Sequence, residues 1–180
     1  MSLAPPLVFR RPLCLILGTA MLLTGTANAS DFRTLDYGAA CTNVPALEAA
    51  QGSAPFTERL PSGYQFAFRG HYVDRDVVIG YSCKDGVLFR GAYIFDARDE
   101  ADASALYRKL KQNVISARGK PSYDFASKEY RQKMAAIGAK LSVPDTEVAF
   151  WSGKRDEAHL SVAEPSHDHG WRVSLSYTAE

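Results

Sequence analysis

Three adjacent residues of metal-ligand type, His167, Asp168 and His169, precede Trp171 in the printed sequence. Two imidazoles and a carboxylate are common ligands of zinc and other transition metals, so this cluster is a candidate metal site. Alternate residues of a short turn do not share one direction, however, and polar turns often carry such residues. We therefore predict a solvated turn with no metal, and His167 and His169 are the alternative metal ligands.

The other two histidines, His71 and His159, could act as general bases if a nucleophile lay beside them. The sequence contains no Gly-x-Ser-x-Gly, no His-Glu-x-x-His and no phosphate-binding glycine loop, which assemble catalytic groups in large enzyme families. We therefore predict no catalytic residue and no cofactor. The alternative is a small exported hydrolase that uses His/Asp chemistry, recognisable by a cleft that joins a histidine, a carboxylate and a hydroxyl.

Two glycines in neighbouring strands form the pattern that points most directly to binding. Asp85-Gly86 is a two-residue hairpin turn, and it predicts a register in which Tyr81 opposes Arg90 and Gly80 opposes Gly91. Opposed glycines would leave a notch where a ligand or another backbone can approach closely. The predicted binding residues around this notch are Arg69, His71, Gly80, Phe89, Gly91, Tyr93 and Phe95. The alternative is that a helix or loop of the same chain covers this face.

Alternating apolar residues predict the strands that carry this site, and apolar residues at helical spacing predict the helices that pack on them. Helices are predicted at 43–52, 99–117 and 127–141, and strands at 64–72, 76–84, 87–95, 147–152, 158–164 and 171–178. In the last hairpin, Leu160 should pair with Leu175 and Val162 with Val173. The fold class is α+β, with a mainly antiparallel sheet of about six strands and helices on one face. The order of elements suggests two halves of the type α-βββ.

The first 29 residues have the pattern of a cleaved signal peptide. Arg10 and Arg11 precede an apolar run that ends at Leu23, and Ala27-Asn28-Ala29 is a cleavage motif of the Ala-x-Ala type. The run has about 11 residues, which is too short for a transmembrane helix of roughly 20. We predict one domain, residues 30–180, that is periplasmic or secreted and has no membrane anchor after cleavage. The general secretory route fits better than the twin-arginine route.

Two cysteines, Cys41 and Cys83, remain after cleavage, since Cys14 leaves with the signal. In an oxidising compartment the leading interpretation of two such residues is a disulfide bond. A disulfide between Cys41 and Cys83 would close a loop of 42 residues. In the loop-entropy model it would add about 4 kcal/mol to the free energy of unfolding. The alternative is a reactive thiol at Cys41, which precedes a predicted helix start.

The charge balance excludes one large class of partner. The full chain carries 21 basic and 20 acidic residues, a formal charge of +1, and loss of Arg10 and Arg11 makes it about −1. A chain with no basic excess is poorly suited to the phosphate backbone of nucleic acids. The basic residues of the predicted helices alternate with acidic ones, which is typical of a solvated helix face rather than a membrane patch.

The progression of strand, Asp-Gly, strand, helix and Gly-Lys-Pro between Asp76 and Pro121 is followed by a late strand that begins at Trp171. This order resembles small exported bacterial α+β proteins and is similar in architecture to two-layer domains of the β-lactamase-inhibitor-protein type. The resemblance implies a binding function. We therefore expect a non-catalytic binding protein with a protein or small-ligand partner, of which an enzyme inhibitor is one form. A hydrolase and a metal-binding accessory protein are the alternatives.

Overall fold

One antiparallel sheet organises the described residues of the computed structural model, which are 32–126, 132, 136, 137, 145–167 and 169–180. Its strands are β1 (Ala54–Pro55), β2 (Phe66–Tyr72), β3 (Arg75–Lys84), β4 (Val87–Ala97), β5 (Tyr123–Ala126), β6 (Asp145–Ser152), β7 (Asp156–Ala163) and β8 (Trp171–Ala179). The order across the sheet is β1-β2-β3-β4-β8-β7-β6-β5. The α+β class and the antiparallel sheet are confirmed.

The expected number of about six strands is wrong, because the sheet has eight. The two missed strands, β1 and β5, lie at its edges and have two and four residues. Two residues cannot show a period of two and four show it only weakly, and the pairing of both strands depends on residues that are distant in sequence. The predicted signal peptide 1–29 lies outside the described residues, as do all but three residues of the predicted helix 127–141. The division of the chain into two halves of the type α-βββ stays a prediction.

Two described helices, α1 (Val44–Ala50) and α2 (Glu100–Arg118), pack on one face of the sheet, which we call the core face. The side chain of Asp99 accepts a hydrogen bond from the Asp102 amide and caps the start of α2. Gly119 ends α2 with φ of 81°, a conformation that favours glycine. The buried stripe of α2 packs against the strands and consists of Ala103, Leu106, Tyr107, Leu110 and Val114.

The hairpin of β3 and β4 begins as predicted and then departs from the predicted register. Asp85 and Gly86 both have positive φ, at 52° and 80°, and Cys83 opposes Leu88. A β-bulge follows, so that Ser82 pairs with Arg90 and Tyr81 pairs with Gly91 instead of Arg90. A shift of one residue moves every later side chain of β4 to the other face.

The predicted glycine notch is therefore wrong. Gly80 opposes Ala92 across the strands, whereas Gly91 lies on the core face opposite Tyr81. Tyr93 and Phe95 follow Gly91 onto the core face, where they are 6% and 1% exposed.

The N-terminal part of the described chain completes the core at Gly91. The ring of Phe32 lies 5.4 Å from that of Tyr81 and 5.0 Å from that of Tyr93, between centroids. It occupies the position where Gly91 lacks a side chain, and a Cβ atom there would overlap the ring. The next residue, Arg33, donates to the fully buried Glu48 of α1 over 2.7 Å. These contacts hold the segment between α1 and the sheet.

A disulfide joins Cys41, just before α1, to Cys83 beside the bulge, with their Cα atoms 6.3 Å apart. The predicted pairing is confirmed. It ties the short α1 to the sheet at the point where the register of β4 changes.

We expect Gly91→Ala to lower the free energy of unfolding by about 1–3 kcal/mol, because the added methyl group must displace Phe32 from a packed core. Urea unfolding of the purified protein measures this change. Gly170→Ala is the matched control, since a Cβ at Gly170 meets nothing within 4 Å. Equal effects of the two substitutions would contradict the packing that we describe.

Candidate functional site

The second face of the sheet, opposite the core face, carries a groove over β2, β3, β4 and β8. Arg69, Val78 and Ile94 are paired across the first three of these strands, so their side chains share this face. Two cavities of about 420 and 640 Å³ adjoin there, and both are lined by Arg69, Val78, Ile94 and Asp96. We call their union the groove.

The floor of the groove is apolar and its sides are polar. Val78 is half-buried and Ile94 is 6% exposed, so the floor is formed by side chains that the fold already holds in place. Aromatic, charged and other side chains from the loop and the strands also line the groove: Phe56, Glu58, Arg59, Leu60, Pro61, His71, Asp76, His169 and Arg172. An apolar floor with charged sides can contact both the apolar and the charged groups of one partner.

The loop between β1 and β2 forms one wall of the groove. Phe56 donates its backbone N–H to the Ala67 carbonyl over 2.9 Å, and Ser82 Oγ donates to the Gly63 carbonyl over 2.6 Å. The ring of Tyr64 lies on Gly80, where a Cβ atom would be 2.6 Å from the ring. Gly80 thus gives room to a loop of the same chain. At Gly80, the alternative prediction that the chain covers this face itself is the correct one.

Two ion pairs lie along the sides of the groove, one with both side chains exposed and one with a half-buried arginine, Arg172. Arg69 pairs with Glu58, and its guanidinium also lies 5.0 Å from the ring centroid of Phe56. Arg172 pairs with Asp96 over 3.2 Å. Arg59 is exposed and has no ion pair with any residue that the structure describes. Pairs between exposed charges contribute little stability, so these arginines can exchange one carboxylate for another at small cost.

The predicted binding residues separate into two groups. Arg69 and His71 lie in the groove, and Gly80 lies on the same face beneath Tyr64. The structure places the others elsewhere: Gly91, Tyr93 and Phe95 face the core, and Phe89 is the half-buried extra residue of the bulge. Sequence reasoning missed Arg59 and Arg172 because no local pattern indicates that a loop and the last strand meet beside β2.

The candidate metal ligands do not form a cluster within the described part of the chain. His167 is exposed, while His169 lines the groove with its Nδ1 atom 2.7 Å from the Gly170 carbonyl oxygen. Asp168 lies outside the described residues. Among the residues that are described, no three His, Cys, Asp or Glu side chains are arranged to hold a metal ion.

His159 lies on the second face and is a packing residue there. Its ring stacks on Phe150 with centroids 4.3 Å apart, and its buried Nε2 atom has no hydrogen bond to any residue within the described ranges. Burial, and then the positive charge of Arg90, lowers the pKa of His159 to about 4. The ring is therefore uncharged at neutral pH.

Comparison with known proteins identifies no relative: no family model, curated protein or solved structure matches the chain. Within the described residues, no helix has both the length and the apolar character needed to span a membrane. The groove geometry is therefore the basis for the functional proposal.

We expect the free energy of unfolding to fall by about 3 kcal/mol as the pH drops from 7 to 4, because the pKa of His159 is about 4 in the folded protein and near 6.5 in the unfolded chain. In this range the unfolded chain takes up a proton at its pKa near 6.5 that the folded chain does not bind. Urea unfolding at several pH values should show a weaker decrease for His159→Phe. The control His71→Gln removes an exposed histidine and should retain the wild-type decrease; identical curves for wild type and His159→Phe would refute this role.

Proposed function

We propose that this chain is an exported binding protein, periplasmic or secreted, that engages its partner through the groove. The observation that carries the proposal is the groove itself: two adjoining cavities of about 420 and 640 Å³ with an apolar floor and arginines at the sides. A preformed concave surface of this kind can bind a partner without a large rearrangement. Inhibition of a secreted enzyme is one form that such binding would take.

The disulfide supports export, since disulfides form and persist in oxidising compartments. The signal pattern of residues 1–29 supports the same route. A protein with this pattern should begin at Ser30 after processing.

The proposal is tested by placing a photo-crosslinking amino acid at Leu60, which is 40% exposed on the wall of the groove. Irradiation of living cells that export the protein should yield a crosslinked product in the periplasmic or culture fraction. Mass spectrometry of the crosslinked product should show that this protein begins at Ser30. Crosslinking at Leu60 reports binding in the groove because the reactive group there lies in contact with any bound partner.

The matched control carries the same amino acid at Arg108, which is exposed on α2 and outside the groove. It should give no such product. Equal crosslinking at both positions, or none at Leu60 in a folded and exported protein, would remove the groove as the binding surface. Protein that stays inside the cell and still carries residues 1–29 would contradict export.

A second candidate function is hydrolysis, favoured by one contact in the same groove. His71 Nδ1 lies 2.8 Å from Asp76 Oδ1, the arrangement by which a carboxylate orients a general base. The two side chains are 81% and 90% exposed, so the pair orients the imidazole only weakly until a substrate covers it. Among the described residues, no Ser or Thr hydroxyl is hydrogen-bonded to this pair. The pair would have to activate water.

If the protein is a hydrolase, His71→Gln should lower its turnover of p-nitrophenyl esters by about 100-fold or more, since general-base catalysis contributes at least that factor. His167→Gln, at an exposed histidine outside the groove, is the control and should retain full turnover. Failure of the purified wild type to hydrolyse these esters above the buffer rate would count against this function.

A further inference from the structure

The two ends of the groove differ in charge. At the end beside the loop, Arg59, Arg69 and Arg172 line one cavity together with two carboxylates, Glu58 and Asp96. This cavity therefore has an excess of positive charge even when both ion pairs are formed. The other end carries Asp76 and Asp96 with a single arginine, Arg69.

The arginines at the loop end are accessible to a ligand. The side chain of Arg69 is 55% exposed and that of its partner Glu58 is 65% exposed. Arg172 is half-buried, with 28% of its side chain exposed, and its partner Asp96 is 74% exposed. A carboxylate that enters the cavity can replace either partner, because such exposed pairs are weak. Stacking on Phe56 keeps the Arg69 guanidinium over the groove, which reduces the ordering cost of a new bond.

Apolar side chains lie beside these arginines. Leu60 is one of few exposed large apolar residues in the described chain, and it lines the same cavity as Phe56 and Pro61. The floor residue Val78 adds a further apolar contact. A ligand that fits this lining carries an apolar group next to its negative charge, because it then contacts the arginines and the apolar side chains at the same time.

We propose that the loop end of the groove binds an acidic segment of a partner protein in which carboxylates alternate with apolar side chains. This inference rests on the proposed binding function and specifies the chemistry of the partner. Glutamate or aspartate side chains of the segment pair with Arg59, Arg69 and Arg172. The apolar side chains between them contact Leu60 and Val78.

The test uses the mature exported protein and a fluorescein-labelled peptide of alternating glutamate and leucine, with fluorescence anisotropy as the readout. Two peptides of the same length, with glutamine or lysine in place of glutamate, are the probes for charge. Wild type should bind the glutamate peptide at least about tenfold more tightly than the glutamine peptide, since a single charged contact of about 1.4 kcal/mol already corresponds to that factor. Binding should weaken as salt is added.

Single substitutions locate the site. Arg59→Ala and Arg172→Gln should each weaken binding of the glutamate peptide by about fivefold to tenfold, as expected for loss of one charge-assisted hydrogen bond. Arg108→Ala removes an exposed arginine of α2, outside the groove, and should leave binding unchanged. Circular dichroism and urea unfolding establish that each variant is folded.

Equal affinity for the glutamate and glutamine peptides, or an equal loss for Arg108→Ala and Arg59→Ala, would overturn the acidic partner. So would the absence of any binding of the glutamate peptide by folded wild type. Crosslinking at Leu60 that persists in such a case would leave the binding function standing with a partner of different chemistry. Binding of free acetate or phosphate with the same affinity as the peptide would also overturn the proposal, because it would show a simple anion site.

Discussion

The β-bulge between Ser82 and Cys83 is the constraint on which both faces of the sheet depend. Because one extra residue is inserted in β4, each following side chain of that strand lies on the face opposite to the one that a regular hairpin would give it. Tyr93 thereby packs against Phe32, and Ile94 becomes part of the groove floor. The disulfide at Cys83 lies beside this bulge and connects it to the start of α1.

The two glycines near the bulge show how the chain covers its own sheet. Gly91 leaves room for Phe32 on the core face, and Gly80 leaves room for Tyr64 on the second face. Each close approach brings in a segment without a regular strand or helix and fixes its path with an aromatic ring. The loop that contains Tyr64 covers one part of the second face and forms the wall of the groove beside it. The packing of Tyr64 on Gly80 therefore both covers part of the sheet and shapes the groove.

Much of the fold is readable from local patterns. The capping residue Asp99 marks the start of α2, and the pairing of Leu160 with Leu175 agrees with the alternation of the last hairpin. Phe68 shares the core face with its partner Ile79. The candidate site is less readable: the predicted residues Arg69 and His71 line the groove, whereas the sequence predicts no site at Arg59 or Arg172, which line it too. Those neighbours come from a loop and from the last strand.

The sequence by itself determined the α+β class, the turn at Asp85 and Gly86, and the pairing of Cys41 with Cys83. These features follow from alternation, from the backbone angles that a turn residue can adopt, and from the presence of two cysteines after the signal pattern. Only the tertiary structure decided which face Gly91, Tyr93 and Phe95 occupy and where the groove lies. The reason is that one inserted residue moves all later side chains of β4 to the opposite face of the sheet, and packing against the distant Phe32 selects that arrangement.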